Sequence, residues 1–174
     1  MRPARAAAER SIVVPLSSNQ IMKTMLHLGV LAFLLLAAPV CTFAGIEADI
    51  PLTNRVVLKS GAWTPTPEQP QKALSSIRPF LNLASKTNAQ QRTEIQKILA
   101  NMKNYRVQFI GVVRDGRKVM LCNFFPAPEA GGKDERPYWK RDQIMVDDGG
   151  FQYWQIYYDP NTDKCFDFAS NGYA

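Results

Sequence analysis

The sequence has 174 residues, 21 basic and 15 acidic side chains and 46% hydrophobic residues, a composition typical of a globular protein rather than a disordered one. The formal net charge of +6 overstates how basic the folded part is, because four basic residues and one acidic residue lie before Gly45. Without residues 1–44, 17 basic and 14 acidic residues remain, a net charge of +3. So small a net positive charge gives no reason to expect a nucleic-acid partner.

The N-terminal part has the layout of a secretory signal peptide. An apolar run, residues 28–40, follows a short segment that contains one lysine, residues 22–25. Thr42-Phe43-Ala44 predicts cleavage after Ala44, so that the mature chain begins at Gly45. We therefore expect the protein to be periplasmic or secreted.

Three alternatives at this end of the chain stay open. Residues 1–21 have no predicted role in the fold and suggest an over-long start assignment. Residues 26–46 carry no formal charge apart from a titratable histidine and are long enough for an uncleaved membrane anchor. Cys41 raises the third alternative, a lipid-modified N-terminus, although the residues before it match a lipobox poorly.

Two cysteines, Cys122 and Cys165, remain after the predicted signal is removed, and each lies in a predicted strand. An even pair in an exported domain predicts a disulfide. Closing a loop of this length would stabilise the fold by about 4 kcal/mol. The alternative is a pair of buried free thiols.

The mature chain is predicted to be a single domain, residues 67–174, preceded by an extended lead-in, residues 45–66. Within the lead-in, residues 55–59 alternate as a short edge strand does. Thr66 is a candidate N-cap for a first helix that runs to about residue 76. Pro79 predicts a break or kink, which leaves one helix and two short helices as alternatives.

The clearest helical pattern follows Asn88, a candidate N-cap with Gln91 three residues later. Its apolar residues recur at helical spacing and form one stripe, made of Ile95, Ile98, Leu99 and Met102. This pattern predicts a long amphipathic helix that packs on a sheet.

A β-hairpin is predicted next, because Asp115-Gly116 lies between two apolar runs, residues 105–113 and 118–125. A two-residue loop fixes its register: Phe109 opposite Cys122, Ile110 opposite Leu121 and Val112 opposite Val119. Both faces of this hairpin are partly apolar, so we expect it to lie centrally in the sheet.

The remaining residues predict a long loop and a closing hairpin. Residues 126–141 form a polar segment with prolines and glycines, and residues 144–146 resume the sheet. Asp147-Asp148-Gly149-Gly150 turns the chain into an aromatic run, residues 151–158, whose partner strand is 165–168. The order predicts an α+β fold, with helices packed on a curved four- to five-stranded antiparallel sheet, similar to the cystatin-like topology by analogy.

Most familiar catalytic arrangements are absent from the mature chain. The single histidine, His27, lies in the predicted signal, so Ser-His-Asp and Cys-His mechanisms lack their usual base. Two cysteines are too few for a thiolate metal site, and no glycine-rich nucleotide loop follows a strand. We expect no metal and no cofactor, and we expect the protein not to be an enzyme.

Three weaker patterns have simpler interpretations. Asp147 and Asp148 beside aromatics suggest carboxylate-dependent chemistry on a glycan, but Asp-Asp-Gly-Gly is also what a tight turn needs. Residues 159–170 match a calcium loop only at its start, since Lys164 replaces the required glycine and Ser170 the final glutamate. The basic residues of the first hairpin are interpreted as a solvated tip, not as a nucleic-acid surface; they are Arg106, Arg114, Arg117 and Lys118.

Aromatic residues are the remaining candidates for a binding site. Alternation places Phe151, Tyr153, Gln155 and Tyr157 on one face of the closing hairpin and Gln152, Trp154, Ile156 and Tyr158 on the other. One helix layer covers one face, and the other face is either covered by the lead-in or the long loop or left partly open. The partner-binding candidates are Tyr138 and Trp139 in the long loop and Tyr153, Trp154 and Tyr157 in the hairpin.

The closing segments, Asp147-Asp148-Gly149-Gly150, Tyr157-Tyr158-Asp159 and Asn171-Gly172-Tyr173-Ala174, resemble the ends of a group of small secreted and periplasmic bacterial proteins. The similarity extends back through residues 105–109 to about residue 74. It implies export and a bacterial source, and the group carries no activity that could be transferred to this chain.

Together these patterns predict a non-enzymatic exported module that binds a protein or glycan partner in the cell envelope. Its membrane contact would be limited to the N-terminal signal or an uncleaved anchor. A sharper alternative is an inhibitor or immunity protein for a secreted cell-wall hydrolase, with residues 126–141 inserted into the enzyme's cleft. The alternative from another class is a carboxylate-dependent enzyme acting on glycans. The sequence does not determine the oligomeric state.

Overall fold

A computed structural model describes residues 45–172. The predicted signal peptide, its cleavage site and Cys41 lie outside these residues. No helix within 45–172 is long and apolar enough to cross a membrane. The described part of the chain has an α+β fold, as predicted.

Five strands form one sheet in the order β1-β2-β3-β4-β5. The strands are β1 (Arg55–Val57), β2 (Tyr105–Arg114), β3 (Arg117–Pro126), β4 (Trp154–Asp159) and β5 (Lys164–Ser170). Strands β2 to β5 are antiparallel, whereas β1 runs parallel to β2. The sheet is therefore mixed, and the prediction of a purely antiparallel sheet is wrong at its first edge.

The first hairpin has the predicted register. Phe109 lies opposite Cys122, Ile110 opposite Leu121 and Val112 opposite Val119. The turn residues Asp115 and Gly116 have φ values of 50° and 73°, the left-handed geometry that a two-residue loop requires. Asp and Gly tolerate this backbone region better than most residues, which explains how the sequence determines the turn.

Two helices precede the hairpin, α1 (Glu68–Thr87) and α2 (Arg92–Ala100). The Gln69 side chain accepts a hydrogen bond from the Thr66 backbone N–H at 2.8 Å, one half of the predicted capping box. The Asn88 side chain accepts hydrogen bonds from two backbone N–H groups ahead of α2, those of residues 90 and 91. These hydrogen bonds order the turns that lead into both helices, while the N-cap positions themselves are Pro67 and Gln91 and have no side-chain cap.

The relative lengths of the helices differ from the prediction. The first helix is the longer one and continues through Pro79, while the second ends at Ala100. Ile77 and Leu81, on either side of the proline, are fully buried against the sheet. Burying each stabilises the helix by about 1.5–3 kcal/mol, and together this offsets the cost of about 3 kcal/mol that a proline imposes on a helix interior.

Both helices cover one face of the sheet, which we call the helix face. Its buried core joins Leu74, Ile77 and Leu81 of α1 and Ile95 and Ile98 of α2 to strand residues Val107, Phe109, Met120, Cys122, Phe124, Trp154, Ile156 and Tyr158. Phe124 and Trp154 stack in this core with ring centroids 3.7 Å apart. The alternation predicted for the closing hairpin is correct for β4, because Trp154, Ile156 and Tyr158 face the helices.

The opposite face of the sheet, which we call the loop face, is partly covered by residues 127–149, a segment without helix or strand that we call the long loop. The prediction that residues 144–146 form a strand is wrong. Both backbone groups of Ile144 are bonded to side chains of the sheet rather than to a neighbouring strand, and Met145 is 81% exposed.

Candidate functional site

A pair of polar side chains in the centre of the sheet holds the long loop. Gln108 of β2 is fully buried and lies opposite Asn123 of β3 on the loop face. The Gln108 amide donates to the carbonyl oxygens of Trp139 and Asp142 at 2.5 and 2.8 Å. Its oxygen accepts from the Asn123 amide at 3.1 Å and from the Ile144 N–H at 3.0 Å.

The network satisfies every donor and acceptor of the Gln108 side chain. An amide offers two donors and one oxygen with two lone pairs, and each finds a partner here. Asn123 completes the network by donating to the Ile144 carbonyl at 2.8 Å. Since a buried polar group without a partner costs about 1–3 kcal/mol, this network fixes the loop in one position.

A second attachment joins the start of β2 to the loop. The Arg106 guanidinium donates two hydrogen bonds of 2.8 Å to the Asp134 carboxylate and lies 4.7 Å from the centre of the Trp139 ring. Hydrogen bonding from Arg106 is the main cause that lowers the pKa of Asp134 below its usual value. Trp139 itself is 3% exposed and packs edge-on against Phe125, with centroids 5.9 Å apart.

The attached loop displays two large side chains to solvent. Tyr138 is 62% exposed and Met145 is 81% exposed. The Arg141 guanidinium lies 4.8 Å from the centre of the Tyr138 ring and forms two hydrogen bonds of 2.9 Å with Asp142. Tyr138 is thus held by a cation on one side, while most of its surface remains available to a partner.

Two hairpin candidates, Tyr153 and Tyr157, are half-buried. The Tyr153 hydroxyl accepts a hydrogen bond from Arg136 of the loop at 2.5 Å. The Tyr157 ring stacks beside Phe166, with centroids 5.6 Å apart, and the Arg114 guanidinium lies 4.7 Å from its centre. Arginine side chains therefore already contact both rings.

The five predicted binding residues have different positions. Tyr138 is on the surface, Tyr153 and Tyr157 are half-buried on the loop side, Trp139 is buried beneath the loop, and Trp154 lies in the helix-face core. As a buried core residue, Trp154 is not available to a partner. Trp139 packs between the loop and the sheet, where it contacts Phe125 and Arg106.

The two carboxylates considered for glycan chemistry lie at the end of the long loop. Asp147 and Asp148 are both exposed, and neither side chain has a hydrogen bond or an ion pair with another residue in 45–172. Gly149 and Gly150 follow them with φ values of 99° and 54°, as expected for a turn. Within the same residues, no three His, Cys, Asp or Glu side chains are grouped so that they could hold a metal ion.

The two cysteines are free thiols in this structure, so the predicted disulfide has no support from it. Cys122 lies opposite Ile156 and Cys165 opposite Tyr158, so β4 runs between them. Strands two apart in a sheet are separated by about 10 Å, whereas a disulfide needs Cα atoms within about 7 Å. Burial raises the pKa of Cys165 to about 12 and that of Cys122 well above its usual value.

Three residues that build the site, Arg106, Gln108 and Asn123, were not identified from the sequence as loop anchors. A signal was present, because Gln108 and Asn123 are polar residues inside apolar strands. The predicted register also places them opposite each other on the same face as Ile110 and Leu121. A polar pair at the centre of a two-sided apolar hairpin indicates that something with backbone groups covers that face.

Comparison with known proteins gives no match: no protein-family model, no curated protein and no solved structure matches the chain.

Proposed function

We propose that the protein is a non-enzymatic exported binding module, and that the long loop contacts a protein partner in the cell envelope. The observation that carries the proposal is the attachment of residues 127–149 to the sheet through the buried Gln108 side chain, with Tyr138 and Met145 left exposed. Aromatic, methionine and arginine side chains are enriched in protein interfaces.

A fixed loop supports this role for an energetic reason. Binding orders side chains and loops, at a cost of about 0.5–1.5 kcal/mol for each flexible side chain that is immobilised. The Gln108 network and the ion pair between Arg106 and Asp134 have already ordered the backbone that carries Tyr138. The partner therefore meets a preorganised surface.

The fixed conformation of the long loop also favours the sharper form of the proposal, an inhibitor or immunity protein for a secreted cell-wall hydrolase. Inhibitory loops insert into clefts in a fixed conformation, and preorganisation raises their affinity. The loop displays Tyr138 with the Arg141 guanidinium beside its ring, two of the residue types that are common at interface hot spots. Export to the cell envelope would bring such a loop to hydrolases that act on the cell wall.

The experiment uses the full chain with an affinity tag, expressed in a bacterial host and recovered with its bound proteins from the periplasm. A variant that combines Tyr138→Ala and Met145→Ala removes both exposed side chains, and Leu83→Ala, which is 63% exposed on α1, is the matched control. The captured protein is identified by mass spectrometry, purified and titrated against each variant. We expect at least a tenfold loss of affinity for the loop variant and none for the control.

Equal affinity of the loop variant and Leu83→Ala for the purified partner would refute the role of the loop. For the inhibitor form, the measurement is the rate at which lysozyme clears a suspension of bacterial cell walls. We expect the native chain to slow the clearing and the loop variant not to do so. Unchanged clearing in the presence of the native chain would reject lysozyme as the hydrolase that the loop inhibits.

A further inference from the structure

A concave region lies at the end of the sheet, where β2 begins and β3 ends. It is a groove of about 530 Å³ between the turn Met102–Asn104, the first residues of the long loop and the turn Gly150–Gln152. Asn54, just before β1, also lines it. A volume of this size suits a small organic ligand.

Hydrogen bonds fix the walls of this groove. The Tyr105 hydroxyl donates to the Phe151 carbonyl at 2.7 Å, and the Ala127 N–H donates to the Asn104 carbonyl at 2.8 Å. The first bond ties the turn before β4 to β2, and the second ties the start of the loop to the turn before β2. The groove is therefore a preformed feature of the fold.

Amide side chains line the groove with unused hydrogen-bonding capacity. Asn104 donates to Asn101 at 3.4 Å, and its own oxygen accepts no hydrogen bond from another residue in 45–172. Over the same residues, the side chains of Asn54 and Gln152 form no hydrogen bond at all. Each of these amides can both donate to and accept from a hydroxyl group.

The charges of the groove balance. Lys103 and Glu129 both line it, and neither forms an ion pair within the described residues. One cation and one anion provide no net attraction for a phosphate or for a polyamine. Phe151, Pro126 and Pro128 also line the groove and add apolar surface to it. This combination matches a sugar, whose ring has an apolar C–H surface and a rim of uncharged hydroxyls.

The groove is also elongated. A second depression of about 390 Å³ shares Pro126, Pro128 and Gln152 with it and reaches Arg136 and Tyr153. A ligand that follows both depressions would pass over Gln152 at their junction. An extended peptide is recognised mainly through a row of free backbone groups, whereas this groove offers amide side chains.

We propose that this groove binds a neutral oligosaccharide, with Asn54, Asn104 and Gln152 bonding its hydroxyl groups. The site is separate from Tyr138 and Met145 and does not depend on the proposed protein partner. The loop variant with both residues changed to alanine therefore retains oligosaccharide binding.

The test is a titration of the ¹⁵N-labelled full chain followed by NMR. The added compounds are maltotriose and triacetylchitotriose as neutral sugars, glucose 6-phosphate as an anion and trialanine as a peptide, each at millimolar concentration. We expect at least one of the neutral sugars to shift the side-chain amide resonances of Asn54, Asn104 and Gln152. The anion and the peptide leave them in place.

The matched variants are Gln152→Ala in the groove and Gln96→Ala, an exposed amide on α2. Loss of one hydrogen bond of about 1 kcal/mol weakens binding about fivefold in the first variant and leaves the second unchanged. The proposal is overturned if neither neutral sugar moves the groove resonances, if trialanine or glucose 6-phosphate moves them equally, or if both variants bind with equal affinity. Backbone amide spectra of both variants confirm that the fold is intact.

Discussion

Replacing Gln108 by leucine is the sharpest test of how the long loop is held. Leucine has a similar size but cannot hydrogen-bond, so the change removes the four bonds between the Gln108 side chain and Trp139, Asp142, Ile144 and Asn123. Each bond contributes about 0.5–1.5 kcal/mol, and the groups left behind cost further free energy unless water reaches them. We expect the free energy of unfolding to fall by about 3 kcal/mol.

The measurements are urea denaturation and hydrogen exchange of the Ile144 N–H, whose acceptor is the Gln108 oxygen. A loss of about 3 kcal/mol in the local opening free energy accelerates exchange about 100-fold. Trp139 fluorescence shifts to the red, because this ring is 3% exposed while the loop is attached.

The matched control is Gln155→Leu. Gln155 lies on β4, is half-buried and forms no side-chain hydrogen bond with another residue in 45–172. We expect this variant to change stability by less than about 0.5 kcal/mol. Equal stability of the two variants, together with unchanged exchange at Ile144, would refute the conclusion that Gln108 fixes the loop.

Three further predictions concern Arg106, Gly111 and the two thiols. Arg106→Met removes the two charged hydrogen bonds to Asp134 and lowers stability by about 2 kcal/mol in urea denaturation at neutral pH. Gly111→Ala lowers the thermal midpoint of unfolding strongly, because a Cβ there would lie 2.0 Å from the backbone oxygen of Trp63. In the chain that begins at Gly45, we expect Cys122 and Cys165 to be two free thiols that react with a thiol reagent mainly after unfolding, because Cys122 is buried, Cys165 is half-buried and both have raised pKa values.

The pH dependence of the Arg106 variant follows from the lowered pKa of Asp134. A carboxyl with a lowered pKa in the folded state stabilises the fold above its unfolded pKa, about 3.9, and loses this contribution as pH falls through the lower folded value. The difference in stability between the native chain and Arg106→Met therefore narrows below about pH 4. A difference that stays constant from neutral pH to acid would contradict this account.

The predictions for Gly111 and for the two thiols each have an outcome that would contradict them. Gly116→Ala is the control for Gly111→Ala, because nothing lies within 4 Å of an added Cβ there and only the φ of 73° opposes it. The Gly111 variant should be the less stable of the two, and the reverse order would contradict the close approach of the backbones. For the thiols, a mass about 2 Da below that of the reduced chain would show that Cys122 and Cys165 form the disulfide predicted from the sequence.

The local elements were predictable where one residue type controls a local geometry. Asp115 and Gly116 adopt the left-handed turn that few other pairs tolerate, and this turn fixes the register of the whole first hairpin. Asn88 caps the chain before α2 through its own side chain. These interactions join residues that are close in sequence, so residue pattern and spacing are enough to predict them.

Predictions failed where a distant contact outweighs a local preference. Pro79 would end an isolated helix, but the burial of Ile77 and Leu81 against the sheet keeps α1 continuous. Residues 144–146 are a short apolar run that predicts a strand, but side chains from β2 and β3 bind the backbone of Ile144. Parallel pairing of β1 with β2 likewise joins segments far apart in the chain.

The sequence by itself determined the turn of the first hairpin, the polar residues that order the turns before both helices, the alternation of β4 and the absence of histidine from residues 45–174, because each depends on residue type and short spacing. Only the tertiary structure decided which aromatic residues reach the surface. From alternation alone, Trp154 and Tyr157 are equally good candidates for the exposed face, and only the position of the helices shows that Trp154 is buried. Tyr138 and Trp139 are neighbours in the sequence, but the attachment of the loop leaves the first ring exposed and buries the second. Gln108 holds the loop in that arrangement through hydrogen bonds to residues 31, 34 and 36 positions away in the sequence.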